Sequence, residues 1–183
     1  LDENKKTILI IGGSLGARVI NEAIGAGLED FNKNNIQIVW QTGKGYIETA
    51  RSQTSNFPNA KVFDFISRMD LAYAVSDCII SRAGASSVSE IQIIGKPCVL
   101  VPSPNVAEDH QTKNAMALVN KKAALLIKDA EAKSTLINTS IDLMKNETLQ
   151  VELKENILKM AMPGAASVIA KEALKLAKNK KIL

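Results

Sequence analysis

Histidine is nearly absent from the 183 residues: His110 is the single one, and no Asp-x-Asp pair occurs. A cluster of imidazole and thiolate ligands has too little to draw on, and a metal-dependent sugar transferase of the Asp-x-Asp type is not indicated. Neither G-x-G-x-x-G nor a Walker A sequence is present, so a nicotinamide cofactor and ATP hydrolysis are not signalled. No run approaches the ~20 apolar residues of a membrane span, and no signal peptide is visible. Cysteine is scarce. Cys78 and Cys98 each lie in an apolar run that reads as a buried strand, where a thiol behaves as a small hydrophobe. With nothing secretory in the sequence, a reducing cytoplasm is the expected compartment.

Net charge is missing from most of the chain. Residues 164–183 hold five lysines against one glutamate, and the other 163 residues carry 18 basic and 18 acidic groups. The body is therefore not a nucleic-acid binder by charge. The basic tail suits an acidic membrane surface or a solvated helix face. An apolar fraction of 46% supplies a real core for one domain or a little more. The chain opens on Leu1 rather than Met, as expected of a piece cut from something longer.

What is present is a regular alternation. Thr7–Ile11 is a continuous apolar run, the mark of a strand buried on both faces. Leu15 to about Phe31 reads as a helix, Ile36–Gln41 as a second strand, and the stretch to about Arg51 as a short helix. Lys61–Ile66 reads as a third strand, Met69–Val75 as a short helix, and Asp77–Ile80 as a fourth strand. A helix over Val88–Ile94 ends at Gly95, and Cys98–Val101 is a fifth strand. Asp109–Asn120 reads as a helix and Ala124–Ile127 as a sixth strand. Residues 131–162 form one or two helices, Pro163-Gly164 breaks them, and a last helix runs to about Lys180. Strand–helix alternation predicts a Rossmann-like, doubly wound α/β fold: about six parallel strands, strand one central. In such sheets ligands bind at the carboxyl ends of the strands.

The small-residue loops lie at those ends. Arg82-Ala83-Gly84-Ala85-Ser86-Ser87 leads from strand four into a helix. Unpaired N–H groups and the helix dipole at such a junction suit a phosphate. Glu90, about one turn in, is placed to accept two ribose hydroxyls. The same residues also fit a plain capped helix, with Ser86 or Ser87 as N-cap and Glu90 closing a capping box. Gly12-Gly13-Ser14-Leu15-Gly16 reads as a second phosphate loop. It also matches G-x-S-x-G, the nucleophile elbow of hydrolases. That reading needs His110 as base and an upstream strand and loop for the oxyanion hole, but only eleven residues precede Gly12. Glu108-Asp109-His110-Gln111 opens a helix, where acidic residues favour the dipole.

Together these segments resemble the MurG family of bacterial N-acetylglucosaminyltransferases, which act on the undecaprenyl-linked muramyl-pentapeptide precursor of peptidoglycan. The resemblance runs through Gly12–Arg18, Gln41–Gly45, Phe65-Ile66 with Met69, Arg82–Ile91, Gly95-Lys96-Pro97, and His110-Gln111 with Asn114-Ala115. It is to the carboxyl-terminal half only. It implies one of the two Rossmann-like domains of a GT-B enzyme, the half that holds the UDP-GlcNAc donor, with no metal or other cofactor. By similarity Ser14 contacts the diphosphate and the Ile66 backbone reads the uracil edge. Ala85, Ser86, Ser87, Val88, Ser89 and Glu90 line the diphosphate and sugar, Glu90 on the ribose. Gln111 contacts the GlcNAc. Ser86-Ser87 departs from the family, where a larger apolar residue and Thr are expected.

The resemblance further implies an inverting displacement in which UDP leaves. The acceptor site, membrane patch and catalytic base belong to the other half, and a donor-binding Arg to the linker that precedes this half. Residues 1–163 are expected to form the donor domain. The 164–183 helix, with Ile169, Ala170, Ala173, Leu176 and Ala177 on one face and Lys171, Lys175 and Lys178 opposite, is expected to pack on the other domain. Two readings stay open: half of one transferase chain, peripheral on the inner face of the bacterial membrane, or a stand-alone nucleotide-sugar-binding subunit of a two-chain lipid-linked GlcNAc transferase. Either way this chain alone is expected to bind UDP-GlcNAc weakly and to transfer nothing.

Overall fold

The computed structural model describes residues 1–13 and 15–179. Six parallel strands form one sheet: β1 (Thr7–Ile11), β2 (Gln37–Gln41), β3 (Ala60–Phe63), β4 (Cys78–Ser81), β5 (Cys98–Leu100) and β6 (Leu125–Leu126). Their order is β3-β2-β1-β4-β5-β6, and every neighbouring pair is parallel. The doubly wound sheet and the inner position of β1 are as expected from the sequence. The helices are α1 (Arg18–Ala26), α2 (Leu28–Lys33), α3 (Ile47–Gln53), α4 (Met69–Val75), α5 (Ala85–Ile94), α6 (His110–Val119), α7 (Ala132–Lys145), α8 (Glu147–Leu158) and α9 (Ala165–Asn179).

Every residue of β1 is buried. Side chains alternate across a strand, so Ile8 and Ile10 enter one core and Leu9 and Ile11 the other. The first core takes Ile20, Ile24 and Phe31 from α1 and α2 and Leu136 and Met144 from α7. The second takes Ala72 and Tyr73 from α4, Ile91 from α5 and Leu118 from α6. The edge strand β3 alternates half-buried and exposed residues instead, as a strand covered on one face does. Cys78 and Cys98 are buried free thiols. Burial pushes Cys78 up to about 12 and Cys98 likewise upward, so both remain protonated and inert at neutral pH.

Among the element boundaries that differ from expectation, three matter most. The helix foreseen over Leu15–Phe31 is two helices meeting at Gly27. A Cβ there would come within 2.4 Å of Ile137 in α7, so the break lets the chain pass close to that helix. The helix after β4 starts at Ala85, three residues earlier than read, with Gly84 as N-cap and no side-chain cap bond. Ser86 and Ser87 thus lie inside the first turn, and the capping-box reading is corrected. The third strand ends at Phe63, leaving Phe65 and Ile66 in a loop. The last helix was read to about Lys180, which lies outside the described residues.

α9 follows the break at Pro163-Gly164, and Val168, Ile169, Leu174 and Leu176 on it are all more than half exposed. A helix with so little buried apolar surface has little to hold its backbone hydrogen bonds closed. Amide hydrogen exchange in α9 is therefore expected to be far faster than in β1 and β4. Protection equal to theirs would contradict the exposed arrangement. A second expectation concerns Gly16. Its φ is +81° and a Cβ there would sit 2.3 Å from the Thr42 carbonyl oxygen, so the turn after β1 rests directly on the turn after β2. Gly16→Ala is expected to cost about 2–4 kcal/mol in urea denaturation, combining left-handed strain with a backbone clash.

Candidate functional site

The winding direction of the chain reverses at β1. β2 and β3 step outward on one side of it, and β4, β5 and β6 on the other. The crevice above the β1 and β4 carboxyl ends is the switch point where ligands of open α/β sheets bind. A cavity of about 540 Å³ opens there, lined by Gly12, Gly13, Gly16, Arg82, Ser103 and Gln111 among others. A second cavity, about 410 Å³, lies by the opposite end of the sheet, between Lys6, Gly95, Lys96 and Glu147.

α5 begins beside this crevice. Val88 gives its N–H to the Gly84 carbonyl. The N–H groups of Ala85, Ser86 and Ser87 make no hydrogen bond among the described residues. Three unpaired donors at the positive end of a ten-residue helix form an anion-binding arrangement. Ala85, Ser86, Ser89 and Glu90 are exposed and Ser87 half-buried. Val88 differs: its side chain is buried in the core with Ile91, a packing position. Ser89 Oγ is turned back onto the Ala85 carbonyl, 2.9 Å away. Ser14, assigned to the diphosphate by resemblance, lies outside the described residues. The glycines around it are described, and Gly13 and Gly16 both have φ near +81°.

Ile66 is buried, and its N–H is given to Gln41 Oε1 at 3.0 Å. Its carbonyl accepts no hydrogen bond among the described residues. Gln41 Nε2 reaches the Gly13 carbonyl at 3.3 Å. One buried amide at the end of β2 therefore ties the loop after β1 to the loop after β3. Sequence reasoning singled out Gln41 only as part of a resemblance, not for this bridge. Glu90 is held too: the Tyr73 hydroxyl, on α4, donates to Glu90 Oε2 at 2.7 Å.

Arg82 spans three strand ends. Its Nη1 donates to the carbonyls of Val101 and Pro102 at 3.0 and 3.1 Å, and to the carboxylate of Asp129 beyond β6. Both partners of that ion pair are largely buried, so the charge of Arg82 is committed to holding the wall of the crevice. Asp129 carried no sequence signal; its partner lies 47 residues away. Gln111 accepts the Ser103 N–H with Oε1 at 2.9 Å, which turns its NH₂ donors away from that bond. Asn114 secures α6 by donating to the Ala83 carbonyl at 3.0 Å. Before α6, Glu108 and Asp109 both have positive φ and Asp109 makes no cap bond. Asp109 thus holds the N-cap position by its backbone alone, and the acidic pair still lies at the start of the helix, where it favours the dipole. His110 is exposed, with Nε2 4.0 Å from Glu108.

The Glycosyltransferase family 28 C-terminal domain matches residues 7–176. The UDP-N-acetylglucosamine–N-acetylmuramyl-(pentapeptide) pyrophosphoryl-undecaprenol N-acetylglucosamine transferase of Phocaeicola vulgatus is 54% identical over 97% of this chain. The protein of the same name from Bacteroides thetaiotaomicron is 52% identical over 97%. This chain covers 48% and 49% of those two proteins, about half the length of each. The crystal structure of Acinetobacter baumannii MurG superimposes with a TM-score of 0.83 at 31% identity, over 96% of this chain and 51% of that one. With the family's domain matching residues 7–176 of this chain, and with this sheet and crevice, the chain belongs to the glycosyltransferase family 28 C-terminal domain family.

Proposed function

We propose that this chain is the UDP-GlcNAc-binding half of an inverting N-acetylglucosaminyltransferase that makes lipid II for peptidoglycan. The observation that carries the reading is the trio of N–H groups at Ala85, Ser86 and Ser87, unpaired among the described residues, beside the β1–β4 crevice. The names of the relatives supply the donor and the lipid-linked acceptor. Those relatives are single chains about twice as long, which favours a half of one enzyme over a free subunit of a two-chain transferase.

On this reading the diphosphate rests on the α5 N-terminus and on the Gly12–Gly16 loop with Ser14. The Ile66 carbonyl, free of other bonds among the described residues, takes the uracil edge. Glu90 accepts the ribose hydroxyls and the Gln111 amide donates to the GlcNAc. As the acceptor hydroxyl attacks the anomeric carbon, negative charge grows on the departing diphosphate. Fixed N–H donors at a helix terminus stabilise that charge more than they stabilise the intact donor, and so lower the barrier. Val88 contributes by packing α5 against the sheet.

The acceptor, its base and the membrane contact belong to the other half, which α9 joins through its exposed apolar face. The assembled enzyme works peripherally at the cytoplasmic face of the membrane. No described helix is long and apolar enough to cross one.

Calorimetric titration with UDP in the presence of EDTA tests the donor site. Wild type is expected to bind and to transfer nothing by itself. Hydrogen bonds to a carboxylate are worth about 1.5–3 kcal/mol each, so Glu90→Ala is expected to weaken UDP roughly tenfold to hundredfold. Equal binding by a Glu90→Ala protein with an unchanged thermal melt would overturn the ribose assignment.

A further inference from the structure

We propose that Tyr73 is a positioning residue for the nucleotide's ribose, acting through Glu90; the inference rests on the donor-site reading above. Glu90 is exposed, and the only hydrogen bond to its carboxylate among the described residues is the one from the Tyr73 hydroxyl, at 2.7 Å. Tyr73 itself is 6% exposed, its ring packed in the core beneath α4 and α5. A buried, rigid side chain thus fixes the end of a flexible, solvent-facing one.

The chemistry matches what the ribose needs. A carboxylate offers about four acceptor positions on its two oxygens. Tyr73 takes one, on Oε2, and leaves Oε1 and part of Oε2 for a pair of vicinal hydroxyls. Burial, and then the bond to Glu90, push the Tyr73 hydroxyl upward from its ordinary value. It therefore stays protonated across neutral pH and keeps the proton that it donates to Glu90. A free glutamate would have to give up its side-chain freedom on meeting the ligand, whereas one already held loses less. Tyr73 does not touch the reacting atoms. A plain structural tie between α4 and α5 would use the same bond, so the test must read the ribose itself.

Tyr73→Phe keeps the ring and removes only the donor. The dissociation constants of UDP and of 2′,3′-dideoxy-UDP are measured for wild type, Tyr73→Phe, Glu90→Ala and the double variant, with a thermal melt of each. Tyr73→Phe is expected to weaken UDP roughly threefold to tenfold, the scale of ordering one side chain, and to leave the dideoxy compound unchanged. In the Glu90→Ala background it should add no further loss. An unchanged ratio between the two ligands in Tyr73→Phe, alongside a collapsed ratio in Glu90→Ala, overturns the role of Tyr73 alone. An unchanged ratio in Glu90→Ala, or no binding by wild type, overturns the donor-site reading with it. Should Tyr73→Phe not fold, a crystal structure of wild type with UDP decides. Glu90 bonded to both ribose hydroxyls while still holding Tyr73 supports the inference, and ribose contact with the Tyr73 bond broken overturns it.

Discussion

β1 must be covered on both faces. Five consecutive residues, Thr7 through Ile11, are buried, and one layer of helices cannot hide a strand whose side chains alternate between two sides. Right-handed crossovers then have to run to both faces, with α1, α2 and α7 on one and α4, α5 and α6 on the other. That forces the winding to reverse beside β1. The reversal opens a crevice where no helix lies across the strand ends, and it brings the turns after β1 and β4 together at its rim. The site is thus a consequence of how one apolar strand is buried. Its turns need small residues because Gly16 meets Thr42 and Gly43 almost backbone to backbone.

The crevice is kept in shape by polar side chains that reach across it from below. Gln41 joins the turns after β1 and β3, Arg82 gathers the ends of β5 and β6 to β4, and Tyr73 holds Glu90. Asn21 belongs to the same layer: it accepts from Trp40 Nε1 at 3.0 Å and donates to the Thr42 carbonyl at 2.8 Å. Each of these groups is expensive to bury unpaired, and no buried side-chain polar atom lacks a partner among the described residues. Satisfying them fixes the loops with respect to one another. The donors at Ala85, Ser86 and Ser87, unpaired among the described residues, are therefore held in place, which is what preorganised charge stabilisation would require.

Apolar runs made the inner strands readable, because a strand covered on both faces has no polar alternation to confuse it. The short helix expected at roughly Met69 to Val75 is found there, bounded by Arg68 and Ser76. The start of α5 was misplaced because Ser86 and Ser87 carry the N-cap signature while Gly84, with extended φ and ψ, takes the position. The break at Gly27 depends on Ile137, more than a hundred residues onward, and no local pattern could announce it. The loops that line the crevice were legible from small residues at strand–helix junctions. The ties beneath them were not. Gln41–Ile66, Tyr73–Glu90 and Arg82–Asp129 join residues 25, 17 and 47 apart, and pairing at such distance comes from topology rather than spacing.

The central claim is that nucleotide binds at the carboxyl ends of β1 and β4. The most direct test follows backbone amide NMR shifts of the whole chain as UDP is added. The account predicts that the perturbed amides cluster at Gly12–Ala17, Ile66, Ala85–Glu90 and Gln111. Perturbations centred instead on Lys6, Gly95, Lys96 and Glu147, around the cavity by the opposite end of the sheet, would contradict it.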